Sequence, residues 1–320
     1  MQTDEKYMRR ALELARHGEL DASPNPMVGA VIVDPSGRII GEGWHRRCGE
    51  GHAEVNAVAS VKDPSMLRDA TMYVTLEPCS HYGKTPPCAD MIVEKSIPRV
   101  VIGTLDPFAK VSGRGVAKLL AAGVEVSTGM LEDECRELNR KFMTAHRLHR
   151  PYITLKWAQS ADGYIDGRIS THVTSVAVHK MRATNDAILI GSGTALADNP
   201  TLTTRDFAGK SPVKVVLDRR RRLPVDLRLF NDGEVIVLSD CRNLSEAMER
   251  LYDRGLTSVL VEGGAEILGS FLSEDLWDEI RVEVSPVCID GKVKAPMLPQ
   301  TDVIPNIETL DGHRIITYRK

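Results

Sequence analysis

Residues 52–54 read His-Ala-Glu, and residues 71–88 read TMYVTLEPCSHYGKTPPC, which places eight residues between Cys79 and Cys88. The apolar run Thr71–Leu76 predicts a buried strand before this loop, and the residues from Cys88 onward predict a helix after it. His52, Cys79 and Cys88 offer three ligands to Zn²⁺ and leave the fourth position for water, as in a catalytic zinc site. Glu54 follows His52 by two residues and can reach that water without binding the metal. It is therefore the candidate catalytic acid and base.

The rest of the first half predicts alternating helices and strands. Asp4 is the predicted N-cap of a first amphipathic helix, which ends before the turn Ser23-Pro24-Asn25-Pro26. We expect strands at 28–33, 38–43 and 99–103 and helices at 52–61 and 88–94. This alternation indicates a layered α/β domain.

A polar helical stretch at 132–147, ended by Arg150-Pro151, is the predicted connector to a second α/β domain. Beyond it we expect strands at 152–158, 187–191, 213–218, 235–238, 259–262 and 279–284, with helices near 178–183, at 244–254 and after Gly264. The expected domains are therefore 1–147 and 148–320.

Bulk composition restricts the class of protein. The 320 residues are 42% hydrophobic and 27% charged, with a net charge of −3, which suits an ordinary globular enzyme and disfavours a polynucleotide substrate. No apolar run approaches the ~20 residues of a membrane span, and the N-terminus does not resemble a secretory signal. Six unevenly spaced cysteines argue against a disulfide framework. We expect a cytoplasmic protein without nucleic-acid or membrane partners.

The zinc motif resembles that of the zinc nucleobase deaminases, which pair His-x-Glu with Pro-Cys and a second cysteine. The eight-residue spacing, together with Pro24-Asn25-Pro26 and Gly83-Lys84-Thr85-Pro86-Pro87-Cys88, is similar to the deaminases of riboflavin biosynthesis. That resemblance implies a cytidine-deaminase-like three-layer domain. It further implies substrate contacts at Asn25, His45, His81 and Lys84, with Lys84 suited to a phosphate and Asp106 a weaker candidate.

Other interpretations stay open at this stage. Cys48 or His81 could close the zinc site as a fourth ligand and make it structural. Asn25 could be a turn residue between two prolines, and the remaining contacts could be exposed loop residues.

In the second half, Val261-Glu262-Gly263-Gly264-Ala265 predicts a strand that ends in two glycines and enters a helix. Such a turn suits a pyrophosphate but is also compatible with an ordinary connection. Gly191-Ser192-Gly193-Thr194 follows another predicted strand, but Leu196 replaces the third glycine of a dinucleotide-binding motif.

Several segments here resemble the reductases of riboflavin biosynthesis, among them Leu155-Lys156-Trp157-Ala158, Ser160-Ala161-Asp162-Gly163 and Ala197-Asp198-Asn199-Pro200-Thr201-Leu202. The resemblance implies a dihydrofolate-reductase-like fold and NADPH as hydride donor. It implies cofactor contacts at Ala158, Thr194, Asp198, Gly264, Ala265, Glu266, Ile267, Leu268, Gly269 and Ser270. It implies substrate contacts at Arg182, Leu202, Arg205 and Glu262, where the two guanidinium groups suit a phosphate.

The sequence departs from the reductase pattern after Asp162-Gly163. Members of that family carry a longer stretch with a Gly-x-Ser-x-Trp element that contacts both ligands, whereas this chain has only residues 164–170 there. Ile169-Ser170 align with the end of that element, so the serine and tryptophan of the element are expected to be absent. A four-arginine run, Arg219–Arg222, is either a contact to the 2′-phosphate of NADPH or a solvated turn.

The leading hypothesis is a bifunctional enzyme of riboflavin biosynthesis. It deaminates 2,5-diamino-6-(5-phosphoribosylamino)pyrimidin-4(3H)-one with zinc and then reduces the ribosyl group to ribityl with NADPH. The alternatives are a deaminase with a silent reductase-like domain, a deaminase for another base, and a zinc-stabilised binding module. The resemblance also implies a homo-oligomer that pairs through the C-terminal domain.

Overall fold

The computed structural model describes residues 2–82, 86–107 and 113–320. The chain divides into two compact units, Met1–Leu148 and His149–Lys320. In the described residues of the first unit the elements are α1 (Gln2–Arg16), β1 (Gly29–Val33), β2 (Ile39–Trp44), α2 (Ala53–Ala59), β3 (Thr71–Leu76), α3 (Cys88–Glu94), β4 (Arg99–Thr104), α4 (Arg114–Ala121), β5 (Glu125–Thr128), α5 (Glu132–Leu138) and α6 (Arg140–Leu148). A 3₁₀ turn, Pro64–Asp69, precedes β3.

The first unit has three layers around a five-stranded sheet of order β2-β1-β3-β4-β5. Strand β1 is antiparallel to both neighbours, and β3, β4 and β5 are parallel. Successive residues of β1 face opposite sides of the sheet. Ala30 and Ile32 accordingly pack with α2, α3 and α4, while Val31 and Val33 pack with α1 and α5.

The second unit contains β6 (Tyr152–Gln159), α7 (His172–Ala183), β7 (Ala187–Gly191), α8 (Ser192–Asp198), β8 (Val213–Leu217), β9 (Val235–Leu238), α9 (Leu244–Asp253), β10 (Ser258–Val261), α10 (Ala265–Ser273), β11 (Glu279–Val284), β12 (Asn306–Leu310) and β13 (His313–Arg319), with a 3₁₀ turn at Arg228–Phe230. Its eight-stranded sheet has the order β12-β13-β11-β6-β10-β7-β8-β9. Strands β6 to β11 run parallel, and β13 pairs antiparallel with β11 and β12.

The predicted α/β class is confirmed, and the differences are local. Asp4 lies inside α1 rather than at its N-cap, and its carboxylate accepts hydrogen bonds from Tyr73 and Arg99 instead. The stretch predicted as one connector helix is two helices, because Asn139 interrupts it. The buried amide of Asn139 pairs with the backbone N–H and carbonyl of Met27, both at 2.8 Å.

No helix among the described residues is long and apolar enough to cross a membrane.

Candidate active sites

Three potential metal ligands meet in the first unit. His52 precedes α2, Cys79 follows β3, and Cys88 begins α3. Their ligand atoms all lie within 4.8 Å of one another, and His52 Nδ1 is 3.5 Å from the sulfur of Cys79 and 3.3 Å from that of Cys88. These donors suit Zn²⁺, which is bound by thiolate sulfur and imidazole nitrogen.

Electrostatics in this group favour one thiolate before any metal is considered. The hydrogen bond from Cys88, and then that from His52, lower the pKa of Cys79, whereas the same thiol pairing and burial raise the pKa of Cys88. The Cys79 sulfur also accepts the backbone N–H of Cys88 at 3.2 Å. A coordinating thiol loses its proton outright, so both sulfurs are suitably placed as ligands.

Glu54 lies in the first turn of α2, only 3% exposed. Burial, followed by the nearby Cys79 charge, raises the pKa of its carboxyl to about 7. A carboxyl of that pKa can accept and return a proton near neutral pH.

The metal group opens into a cavity of about 250 Å³. The predicted substrate residues Asn25, His45, His81 and Asp106 all line it, and Lys84 lies outside the described residues. His45 Nδ1 is 3.2 Å from the carbonyl of Gly51 and must donate to it, so Nε2 accepts from the Asn25 amide at 3.1 Å. Burial lowers the pKa of His45, which agrees with a neutral ring that orients Asn25.

Among the polar and aromatic residues that line this cavity, three were not predicted from the sequence: Glu77, Phe142 and His146. Phe142 and His146 belong to α6 and make an edge contact with ring centroids 4.4 Å apart. The sequence around them predicts only a polar helical connector, so neither residue was assigned to the site. Glu77 is 3% exposed and accepts four backbone N–H groups from the residues that the structure describes. Oε1 accepts from Gly115 and Val116 at 2.9 and 3.3 Å, and Oε2 accepts from Asp106 and Gly113 at 3.3 and 3.0 Å.

A second cavity, of about 600 Å³, lies in the second unit where strands β6, β7 and β10 end. Its described lining includes six residues predicted from the sequence: Ala158, Thr194, Asp198, Arg205, Glu262 and Gly264. Two of them are joined directly, because the Thr194 hydroxyl accepts the backbone N–H of Gly264 at 2.8 Å. Lys156, which also lines this cleft, was not predicted.

Two of the predicted contacts, Leu202 and Leu268, have buried side chains. Leu202 is 4% exposed and packs in an apolar cluster with Ile188 and Ile190. Leu268 is fully buried in the main core of the unit, so neither side chain is available to a ligand. The predicted cofactor segment after Gly264 forms the first turns of helix α10. In the described chain, five further residues of this segment do not line the cleft: Ala265, Glu266, Ile267, Gly269 and Ser270.

Arg182 is engaged by the protein itself. Its Nε and one terminal nitrogen bind the two oxygens of Glu262 at 2.9 and 2.8 Å, and the other nitrogen donates to the carbonyl of Thr203 at 3.0 Å. Burial alone would raise the pKa of Glu262, but the pairing with Arg182 lowers it. Lys156 faces the same carboxylate, and burial lowers its pKa despite the opposing charges of Glu262 and Glu283.

The two glycines after β10 have different reasons to be glycine. A Cβ on Gly263 would overlap the side chain of Ile267, so packing of α10 against the turn requires glycine there. At Gly264, which is the N-cap of α10, a Cβ would lie only 3.1 Å from the Thr194 hydroxyl oxygen, which accepts the backbone N–H of this glycine.

Comparison with known proteins identifies both units. Residues 1–104 match the model of the cytidine and deoxycytidylate deaminase zinc-binding region, and residues 151–315 match that of the RibD C-terminal domain. A riboflavin biosynthesis protein RibD of Bacillus amyloliquefaciens is 39% identical over 92% of this chain and 87% of its own length. The chain belongs to the RibD family.

Solved structures support the same assignment over the whole length. A diaminohydroxyphosphoribosylaminopyrimidine deaminase/5-amino-6-(5-phosphoribosylamino)uracil reductase of Thermotoga maritima is 38% identical, with a TM-score of 0.91 and 99% of each chain covered. RibD of Acinetobacter baumannii is 32% identical, with a TM-score of 0.90 and the same coverage. The two units are thus the zinc-binding deaminase and the reductase of the RibD family, and the predicted bifunctional enzyme of riboflavin biosynthesis is confirmed.

Two alternatives lose support in this RibD family member. In the described part of the chain, the metal-ligand group contains three residues; Cys48 is exposed, and His81 lines the cavity without joining the group. The four residues Arg219–Arg222 are exposed and are not among the described residues that line the reductase cleft; Arg222 donates to the Ser192 hydroxyl at 3.0 Å.

Proposed function

We propose that the first unit hydrolyses the exocyclic amine of 2,5-diamino-6-(5-phosphoribosylamino)pyrimidin-4(3H)-one, and that the second unit reduces the ribosyl group of the product to ribityl with NADPH. The observation that carries the proposal is the meeting of His52, Cys79 and Cys88 beside the buried carboxyl of Glu54. This is the donor set of a catalytic zinc with a proton carrier next to it.

For deamination, the three ligands hold Zn²⁺, which when bound lowers the pKa of water to roughly 7. Glu54 takes one proton of the attacking water and delivers it to the ring nitrogen. It then takes the proton of the newly formed hydroxyl and delivers it to the exocyclic amine, which leaves as ammonia while the carbon–oxygen double bond forms. Its raised pKa keeps both protonation states accessible during this sequence.

Asn25 holds the pyrimidine edge through its amide, which neutral His45 keeps in one orientation. Phe142 supplies an aromatic surface in the same cavity, suited to stacking on a flat base. His81 and Lys84 bind the rest of the substrate, with Lys84 at its phosphate.

For reduction, the cleft around Ala158, Thr194, Asp198 and Gly264 binds NADPH, which supplies the hydride. Opening the ribosyl ring leaves an oxygen that needs a proton. Lys156 lines the cleft with a lowered pKa and is suited to provide that proton. Arg205 binds the substrate phosphate, and the Arg182–Glu262 pair positions the carboxylate that faces Lys156.

The test is to incubate zinc-loaded protein with the diaminopyrimidine substrate, with and without NADPH, and to measure ammonia and NADPH separately. Ammonia without cofactor, followed by NADPH oxidation equal to the product formed, supports both halves. Ammonia with no NADPH oxidation favours the second candidate, a deaminase with a silent reductase domain, which the shortened stretch at 164–170 motivates. Neither signal with zinc bound refutes the assignment.

We also propose a homo-oligomer that pairs through the second unit. Met297, Ile304 and Ile307 are 91%, 90% and 57% exposed, and Ile307 lies on β12, the edge strand of the sheet. Exposed apolar residues next to an open strand edge are typical of an interface. Light scattering should give a mass that Ile304→Asp with Ile307→Asp reduces to the monomer. We place the protein in the cytoplasm, since all six cysteines are free thiols.

A further inference from the structure

The segment Asp162–Ser170, shorter than its counterpart in other reductases of this type, forms one wall of the reductase cleft. Ile165, Gly167, Arg168, Ile169 and Ser170 from this segment all line the cavity. A wall that binds a ligand well must be held in place before the ligand arrives, because ordering it on binding costs affinity.

Two aspartates attach the 162–170 segment to residues 289–293. Asp166 accepts the backbone N–H groups of Lys292 and Val293 at 2.6 and 2.8 Å, and Asp162 accepts those of Ile289 and Asp290 at 3.2 and 3.0 Å. Both hydrogen bonds lower the pKa of Asp166. A Cβ on Gly291 would overlap the Asp166 carboxylate, so the close approach depends on glycine.

The far end of the segment is anchored separately. The Ser170 hydroxyl donates to Glu283 at 2.8 Å, and the other oxygen of that fully buried carboxylate lies 2.8 Å from His313 Nδ1. Between the two aspartates, the Lys294 ammonium lies 3.6 Å from the centre of the Tyr164 ring. The segment is therefore held at Asp162, Tyr164 and Asp166 on one side of Arg168 and at Ser170 on the other.

This fixed wall presents Arg168 to the cleft. Arg168 is exposed and, within the described chain, forms no ion pair, whereas Arg182 is paired with Glu262 and Arg205 lies 3.8 Å from Asp206. An unpaired guanidinium on a rigid wall is a planar donor for a phosphate. Lys156 adds a second positive charge in the same cleft.

We propose that Arg168 binds a phosphate group of a reductase ligand and so replaces a ligand contact of the absent Ser/Trp element. The hydrogen bonds of Asp166 to the backbone of Lys292 and Val293 position the part of the segment that carries Arg168. The proposal rests on the proposed reductase function, in which both ligands carry phosphate. The phosphate belongs either to the cofactor or to the sugar.

Direct binding distinguishes these sources without relying on turnover. Dissociation constants for NADPH, NADH and ribose 5-phosphate are measured by calorimetry on the full chain for the wild type, Arg168→Ala, Arg168→Lys and the control Arg254→Ala. Arg254 is an exposed arginine at the end of α9, outside the described lining of the cleft.

Arg168→Ala should weaken one of these ligands about tenfold to a hundredfold, as expected for a lost charged hydrogen bond. Arg168→Lys should recover part of the loss, and Arg254→Ala should change nothing. Weaker binding of NADPH alone identifies the 2′-phosphate as the group that Arg168 binds, and equal losses of affinity for NADPH and NADH identify the pyrophosphate. Weaker binding of ribose 5-phosphate identifies the substrate phosphate. Asp166→Asn should weaken the same ligand by a smaller factor, with ammonia release by the other domain unchanged.

Unchanged affinities in Arg168→Ala, with a wild type that binds these ligands, would overturn the proposal and leave the reductase function intact. A wild type that binds none of the ligands would overturn both.

Discussion

Glu77→Gln tests whether a single carboxylate holds the wall of the deaminase cavity. Glu77 immediately precedes Pro78 and the candidate metal ligand Cys79, and its oxygens accept four backbone N–H groups from the described residues between Asp106 and Val116. Two of these donors belong to the first turn of α4, whose N-cap, Gly113, offers no side-chain acceptor. Glu77 therefore caps a helix that is distant in sequence.

The magnitude follows from the geometry. Glutamine keeps one acceptor oxygen and places an NH₂ group where the other oxygen was, so two N–H groups lose their acceptor. The N–H of Gly115 is buried, and those of Asp106, Gly113 and Val116 are partly buried. Each unsatisfied buried donor costs about 1–3 kcal/mol, so the substitution should lower the free energy of local opening of this wall by at most roughly 2–6 kcal/mol.

Hydrogen exchange of peptides covering residues 113–118 is the direct assay, and ammonia release gives the functional consequence. In Glu77→Gln these amides should exchange faster by at least about thirtyfold, the equivalent of ~2 kcal/mol, and the substrate KM should rise while zinc content is retained. The matched control is Glu94→Gln, because Glu94 is 73% exposed and pairs only weakly with Lys95 at the surface. Exchange in Glu77→Gln that stays within threefold of the control would refute the reasoning.

Three further substitutions address the remaining parts of both sites. Glu54→Gln should lower ammonia release by about 10²–10⁴-fold with zinc still bound; a loss of zinc would instead make Glu54 a structural residue. Gly263→Ala should destabilise the second unit by about 1–3 kcal/mol through overlap with Ile267, measured by urea unfolding, and unchanged stability would contradict the packing argument. Arg182→Ala should lower the free energy of unfolding by about 3–5 kcal/mol, because the Glu262 carboxylate, only 10% exposed, loses both of its hydrogen bonds to the guanidinium. Replacing both Arg182 and Glu262 with apolar residues should lower the free energy of unfolding by less than Arg182→Ala does. An equal or larger loss would show that the uncompensated charge of Glu262 does not cause the destabilisation.

The sequence predicts strongly patterned elements well and misses those that depend on distant partners. Strands such as Thr71–Leu76 and Ala187–Gly191 are buried apolar runs, and their predicted bounds are confirmed. Strands β12 and β13 were not predicted. Strand β12 is almost entirely exposed, so its sequence has no buried apolar face that would indicate a strand. Helix α4 was also missed, and its N-terminus is capped by Glu77, 38 residues away from Gly115.

The same distinction applies to the sites. His52, Cys79 and Cys88 could be found because ligand chemistry restricts which residue types occur and at what spacing. Lys156 and Phe142 could not, since nothing local separates a lysine in a strand or an aromatic residue in a polar helix from its neighbours. Leu268 was predicted to contact the cofactor because it lies in the segment Gly264–Ser270. Its position on helix α10 directs its side chain into the apolar core instead.

The separate cores of the two units predict that the halves fold independently. The apolar clusters of the first unit draw all their residues from positions 7–138, and those of the second unit from positions 153–318. Each sheet is likewise built from strands of one unit. Since hydrophobic burial within a domain is the main favourable term in folding, residues 1–148 expressed alone should unfold cooperatively, bind zinc and release ammonia from the diaminopyrimidine. Residues 149–320 alone should unfold cooperatively and bind NADPH without zinc. A fragment 1–148 that is unfolded with zinc present, when the full chain is folded, would show that its stability depends on the second unit.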